Sequence, residues 1–390
     1  MARGDRARPA AIVWDDRQGC WVVSSHALVR ECLAADGDEL SSNFSFLYRR
    51  TLPRKLHRQM AAVLELYDNV LTVQDDPYHA HVRAAVVPAF NRALKGSIPS
   101  IEAMIERRVS ELEEQFDLVA DLADPIAKDA IALVIDIPDE RREALIGASL
   151  DLLASMEFGH ERSAALSASN GAAAERALNT LRDFFEQQIV RFDPIRSQGL
   201  MAQLLRGGSE PRESDLSETE RIYLSIAMLM AGFVTMTSLL ARSIALLAND
   251  EEDATAIVAE AARFRQTVDS LTRRAGPTAY VMRHAIRQFS LGGNEIRVGD
   301  LLQLRLVEAN NDPSIHDSPN ENQKNLAFGE GIHVCPGMPM AKLLLTRTLE
   351  ALARHGIRVR AAPDEVPELA SPARAIVRYE RWPAVIDTRT

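Results

Sequence analysis

Residues Ile222 to Ala241 carry no charge, and no other run in the 390-residue chain is both as long and as apolar. In helical form it would match the thickness of a bilayer. It nevertheless contains Ser225, Gly232, Thr235, Thr237 and Ser238, and a helix buried on all sides of a large protein has the same composition. Just before it, Ser217-Glu218-Thr219-Glu220 forms a capping box, which marks a helix start. A helix continuing to Ala248 would be about 45 Å long at 1.5 Å per residue. A helix of that length with no polar face has to be surrounded. The remaining chain must wrap it, which predicts a central helix and not a membrane span; with the helices and short strands read below, the fold expected is mainly α with a smaller β region. With no internal repeat and no long linker, residues 1–390 are expected to form one domain. The net charge of -10 argues against a nucleic-acid partner, which would need a basic face. Cys20, Cys32 and Cys335 suggest no disulfide framework, and the polar start lacks the apolar core of a signal peptide, so a cytoplasmic protein is expected.

The chemistry is concentrated in Phe328-Gly329-Glu330-Gly331-Ile332-His333-Val334-Cys335-Pro336-Gly337, which leads into the mostly apolar run Met338 to Leu345. Free N–H groups and the positive end of the helix dipole favour a thiolate at such a helix start. Gly331 and Gly337 remove side chains where a flat ligand can approach the backbone. Phe328 can cover one edge of the sulfur, and His333 can donate to an acidic group. The stretch resembles the heme-thiolate loop of the cytochrome P450 family, Phe-Gly-x-Gly-x-His-x-Cys-x-Gly, at every defining position. The resemblance implies that Cys335 is the proximal iron ligand of heme b (iron protoporphyrin IX). Phe328, Gly329, His333 and Gly337 would then complete the cofactor cradle.

Other segments extend the resemblance over nearly the whole chain. Trp14, Cys20-Trp21-Val22-Val23 and Leu40-Ser41-Ser42 resemble the opening of bacterial members, with Cys20–Val23 read as a strand and Ala27–Ala34 as a helix. Residues 43–73 carry Arg49, Arg50, Arg54, Lys55 and Arg58, either a solvated face or the family's variable segment over the heme. His79 and Arg83 lie four apart on one helix face, and in the family such a pair binds heme propionates through charge-assisted hydrogen bonds. Ile101–Phe116, Ala127–Ile135, Leu145–Met156 and Arg176–Phe192 read as helices. The small residues from Ser163 to Ala174 are either a plain helix end or the family's substrate lid. Arg283 matches a second propionate-binding arginine. Pro277 to Ala285 and Leu291 to Ile296 read as a hairpin with Gly292-Gly293-Asn294 as its turn. Met340–Arg354 reads as a helix, and Ile357–Val359 and Ile376–Tyr379 as strands.

Two positions depart from the family. Ala231-Gly232-Phe233-Val234-Thr235 aligns with Ala-Gly-x-(Asp/Glu)-Thr, so Ala231 and Gly232 would pass over the heme and Gly232 would let the helix open locally. Thr235 has two readings: organiser of the water that delivers protons, or a hydroxyl bonded back to the carbonyl of Ala231. Val234 replaces the acid and cannot relay a proton. Ser270 replaces the glutamate of Glu-x-x-Arg, so Arg273 must find another partner or remain wet. Asp269 is about 100° away around the helix, and Lys324 is the only cation in the segment 312–326. The resemblance implies oxygenation of a small, secondary-metabolite-like substrate, with electrons from NAD(P)H through a separate ferredoxin and reductase. Val234 also motivates a same-fold enzyme that uses peroxide or an N–O or O–O substrate. Ser270 motivates a catalytically silent partner protein, against which the intact Cys335, His79, Arg83, Arg283 and His333 argue.

Overall fold

The structure is a computed structural model that describes residues 11–45, 49, 57–58, 61–156, 168–207, 216–249, 257–315, 325–370 and 375–387. Arg50, Arg54, Lys55, Lys324, the polar start and residues 163–167 of the expected lid lie outside the described residues.

The N-terminal region forms a sheet that carries part of the site. Strands β1 (Ile12–Asp15) and β2 (Cys20–Val23) form a hairpin in which Trp14 and Trp21 are paired across the strands, ring centroids 5.4 Å apart. Helix α1 (His26–Ala34) starts at the N-cap Ser25 and buries Val29, Cys32 and Leu33. The short strand β3 (Leu40–Ser41) follows. Helix α2 (Ala61–Asn69) precedes α3 (Tyr78–Ser110), a helix of 33 residues that continues through Pro88 and Pro99. The segment 101–116, expected as a separate helix, is therefore the second half of α3 followed by strand β4 (Gln115–Asp117). Phe90, Ile101 and Ile105 are buried along α3, and that packing outweighs the hydrogen bonds the prolines remove.

Helices α4 (Asp124–Ile135), α5 (Asp139–Met156), α6 (Ala168–Val190) and α7 (Leu200–Arg206) then stack around the core. Residues 168–174 of the expected lid form the first turns of α6. Asp129, buried on α4, accepts from Arg108 on α3 at 2.8 Å and from Arg142 on α5 at 2.7 Å, tying three helices together.

Helix α8 (Glu218–Asn249) is the expected central helix. Its capping box is closed: the Ser217 hydroxyl accepts from the Glu220 N–H at 3.2 Å, and the Glu220 carboxylate accepts from the Ser217 N–H at 2.7 Å. The helix is long and apolar enough to cross a membrane, with mean hydropathy 1.9, yet 72% of that stretch is buried within the protein. It packs against α4, α5, α6, α7 and α9 (Ala261–Arg274).

Strand β5 (Tyr280–Ala285), the hairpin β6 (Phe289–Leu291) and β7 (Asn294–Ile296), strand β8 (Leu301–Arg305) and helix α10 (Leu306–Asn310) come next. The hairpin turns at Gly292 and Gly293, with φ of 55° and 80°, which glycine adopts without strain. The five-stranded sheet has the order β1-β2-β8-β5-β3. Helix α11 (Met338–Arg354) follows the cysteine loop. Strands β9 (Arg358–Ala361) and β12 (Pro383–Asp387) join β4 in a second sheet, and β10 (Glu368–Leu369) pairs with β11 (Tyr379–Arg381). Ile376, expected in a strand, makes an isolated bridge to Thr278.

Candidate active site

A cavity of about 310 Å³ lies between the central helix and the cysteine loop. On the helix side its wall is built from Leu224, Ala227, Met228, Ala231, Gly232, Thr235, Met236 and Leu239, a stripe at helical spacing. On the opposite side lie Phe328, Gly329, His333, Cys335, Pro336 and Gly337. The sequence-predicted residues from these two distant segments therefore face one space, which Arg283 also borders.

The loop is shaped by its own hydrogen bonds. Gly329 and Gly331 have φ of 72° and 74°, and the Cys335 N–H donates to the Phe328 carbonyl at 2.8 Å. Helix α11 starts at Met338, so the sulfur sits at its N-terminal end, and the N–H groups of Gly337 and Met338 are directed to it. These groups and the Arg83 charge lower the thiol pKa, but desolvation by the surrounding protein is larger and pushes it up. Gly329 and Gly337 both border the cavity and give its wall no side chain there. Gly331 does something else. A Cβ on it would lie 2.7 Å from the Leu33 carbonyl oxygen, so this glycine lets the loop dock on α1 and does not face a ligand.

On α8, Ala231 is exposed to the cavity and the Thr235 hydroxyl donates to the Ala231 carbonyl at 2.8 Å. Gly232 also borders the cavity, but a Cβ on it would meet Ile131 of α4 at 2.7 Å. Its small size thus serves close helix packing, and α8 runs without a break from Glu218 to Asn249 instead of opening locally. Val234 is 7% exposed and belongs to the apolar core rather than to the cavity wall.

At the polar end of the cavity lie Arg283 and His333, and beside His333 and Val334 stand His79 and Arg83. The rings of His79 and His333 lie 4.4 Å apart. His79 Nδ1 is 3.3 Å from Asp76, while its Nε2 is buried with no hydrogen-bond partner among the described residues. Such an orphan is costly unless a ligand meets it. His333 Nε2 lies 3.0 Å from the Ser42 hydroxyl. Burial first, then the charges of Arg283 and Arg83, hold the His333 imidazole down to about 3, so the ring is neutral. Arg83 donates to the Val334 carbonyl at 2.8 Å. Arg283 is 5% exposed and grips the carboxylate of Asp36, a residue that sequence reasoning did not single out. The only sequence signal for it was the turn-forming Asp36-Gly37 pair. A buried unpartnered imidazole nitrogen, two guanidinium groups and a sulfur beside glycines together fit a flat, iron-bearing group with carboxylate arms.

The second departure is also resolved. Arg273 donates to the Asn310 carbonyl at 2.6 Å, and Asn310 accepts from the Leu326 N–H at 2.8 Å. The Asn310 carbonyl is thus among the partners of Arg273. Asp269, the displaced acid, instead pairs with Lys342 of α11 at 2.7 Å.

No model of a protein family matches the chain. It is 27% identical over 286 residues to the biotin biosynthesis cytochrome P450 of Bacillus subtilis (strain 168), covering 71% of this chain and 70% of that one. Over 295 residues it is 30% identical to the cyclomarin C epoxidase CymV of Salinispora arenicola (strain CNS-205), covering 72% of each. Among solved structures, P450BioI in complex with an acyl carrier protein bearing hexadec-9Z-enoic acid superposes with a TM-score of 0.80. The identity there is 21%, over 94% of this chain and 92% of that one.

Proposed function

The chain belongs to the cytochrome P450 family, and on that premise we propose that it is a monooxygenase-type heme-thiolate enzyme acting on a small, apolar, secondary-metabolite-like molecule. The observation that carries this reading is Cys335 at the wall of a cavity whose opposite wall is the Ala231–Thr235 segment of the central helix. Heme b, when bound, supplies the oxygen activation and electron transfer. The protein contributes the following parts. Cys335 would give the iron a thiolate, losing on ligation the proton that burial helps the free thiol keep, and the Gly337 and Met338 N–H groups with Arg83 would support that charge. His79, Arg83, Arg283 and His333 receive the carboxylate arms.

Substrate would lie along α8. Beyond the polar end the wall is made of Leu71, Phe90, Leu224, Met228, Met236 and similar residues, so an uncharged, apolar substrate is favoured. Thr235 commits its proton to the Ala231 carbonyl, which leaves its lone pairs to accept from water or from substrate. With Val234 in the core, protons come through Thr235, water or the substrate itself. Electrons would come from a ferredoxin and its reductase, and the enzyme would work in the cytoplasm as one domain of residues 1–390; Cys20, Cys32 and Cys335 as free thiols are consistent with that compartment.

The test is the absorption spectrum of dithionite-reduced protein under carbon monoxide. A strongly red-shifted Soret band is expected, and it should vanish in Cys335→Ser. Turnover that requires both NAD(P)H and oxygen would support oxygenation; turnover with peroxide alone, or with neither, would sink it. A wild-type protein without heme would return the partner-protein reading to the front.

A further inference from the structure

Arg283, which borders the polar end of the cavity, is already paired with a carboxylate. Asp36 follows α1, and its side chain is 1% exposed. Both of its oxygens lie 2.8 Å from Arg283 Nε, and Arg283 Nη2 lies 2.6 Å from Oδ2. Arg283 Nη1 donates to the Met282 carbonyl at 2.8 Å. These bonds fix the guanidinium plane and use one face of its fork, leaving one N–H on each terminal nitrogen for a ligand.

Asp36 is itself held from several sides. Gly37, at φ 86°, donates to the Leu40 carbonyl at 2.7 Å, which closes the turn. Strand β3 pairs with β5, the strand that carries Arg283, with Leu40 opposite Ala285 and Ser41 opposite His284. The Ile286 N–H donates to the Glu39 carbonyl at 2.9 Å. Asp36 Oδ2 is also 3.7 Å from His333 Nε2, so the carboxylate lies among the residues assigned to the cofactor's arms.

We propose that Asp36 is a positioning and charge-setting residue for the cofactor: it orients Arg283 toward the cofactor's carboxylate and neutralises most of the arginine's charge. A buried, bidentate pair is nearly neutral to its surroundings, whereas a lone buried guanidinium is not. With Asp36 present, Arg283 supplies directed hydrogen bonds but little net positive potential to the iron. Removing either member unbalances the other, and the two removals act with opposite sign.

This inference rests on the heme-thiolate reading above. The experiment compares wild type with Asp36→Asn, Asp36→Glu and Arg283→Gln, each loaded with heme. It reads the ferric/ferrous midpoint potential by spectroelectrochemical titration, together with the rate of heme transfer to an apo-globin acceptor. In Asp36→Asn the exposed arginine charge should favour the ferrous state, raising the ferrous-to-ferric ratio at fixed poise about tenfold, or about 59 mV for one electron. The same variant should release heme more slowly, by about threefold or more, because Arg283 attracts the cofactor carboxylate more strongly. Arg283→Gln should move the potential the other way and speed heme loss, and Asp36→Glu should keep the wild-type potential. A merely structural role for Asp36 would move both single variants in the same direction, and that result overturns the proposal. So does an unchanged potential in either folded variant beside a wild-type protein with the red-shifted carbonyl band. If the wild type lacks that band, the heme-thiolate reading has failed instead. Should Asp36→Asn not fold, Arg283→Gln alone decides: a potential that does not fall overturns the proposal.

Discussion

Gly331 shows how single residues fix the cofactor loop. Its φ of 74° and the 2.7 Å approach to the Leu33 carbonyl leave no room for a side chain. Gly331→Ala should lower stability by about 1–3 kcal/mol, measured as a reduced unfolding midpoint, and loosen the loop's hold on α1. At Thr235 the bond to Ala231 at 2.8 Å means the hydroxyl is already oriented. Thr235→Ala should leave the fold intact and raise the ratio of NAD(P)H consumed to product formed, provided oxygenation is the reaction; equal coupling in the variant would remove Thr235 from proton handling. The position of the cysteine loop ahead of a helix was legible in the sequence because its determinants are local: two glycines that bend the chain, a cysteine and a helix start. The separate purposes of Gly331 and Gly232 were not legible. Each is set by a segment distant in sequence, Leu33 in one case and Ile131 in the other, and pattern alone does not reveal what a missing Cβ avoids. Asp36 was hidden for the same reason: its partner Arg283 is 247 positions away.

At the scale of elements, the central helix could be read from its capping box and its uncharged run, because both are local. The continuity of α3 could not. Pro88 and Pro99 resemble helix ends in sequence, and only the burial of Phe90 and Ile101 explains why the helix continues. The clamp between helices was equally invisible. Asp129 of α4 holds Arg108 of α3 and Arg142 of α5, while remaining only 6% exposed itself. Asp129→Ala would remove the counter-charge that Arg108 faces and leave Arg142 with Asp139 alone. Both arginines retain partial solvent access, so the loss should be about 2–3 kcal/mol, below the 3–5 kcal/mol of a fully buried pair. Chemical denaturation would measure it, and the double variant Asp129→Ala with Arg142→Leu should recover part of the loss. A double variant no more stable than the single would show that the clamp is not electrostatic.

Across the molecule, His79, His284 and His333 are all buried, and burial is the first cause lowering each below the ordinary histidine value. A histidine with a lowered folded-state value binds protons more readily when unfolded. The three therefore contribute stability that is complete above the unfolded value near 6.5 and is lost as pH falls through and below it. The unfolding midpoint of the cofactor-free protein should drop between pH 7.5 and pH 5. His284→Gln, which can keep a contact to the Asn43 carbonyl, should flatten that slope; an unchanged slope would exclude His284 as a contributor. The residues proposed to hold the cofactor are, in chain order, His79 and Arg83, the middle of α8, Arg283, and finally Cys335. During synthesis these parts leave the ribosome in that order, at about 5–20 residues per second, so the thiolate emerges tens of seconds after the first imidazole. A nascent chain thus exposes its apolar central helix long before it can capture iron. On the heme-thiolate reading, the supply of heme would then bear on how many chains survive that interval as well as on how many become active.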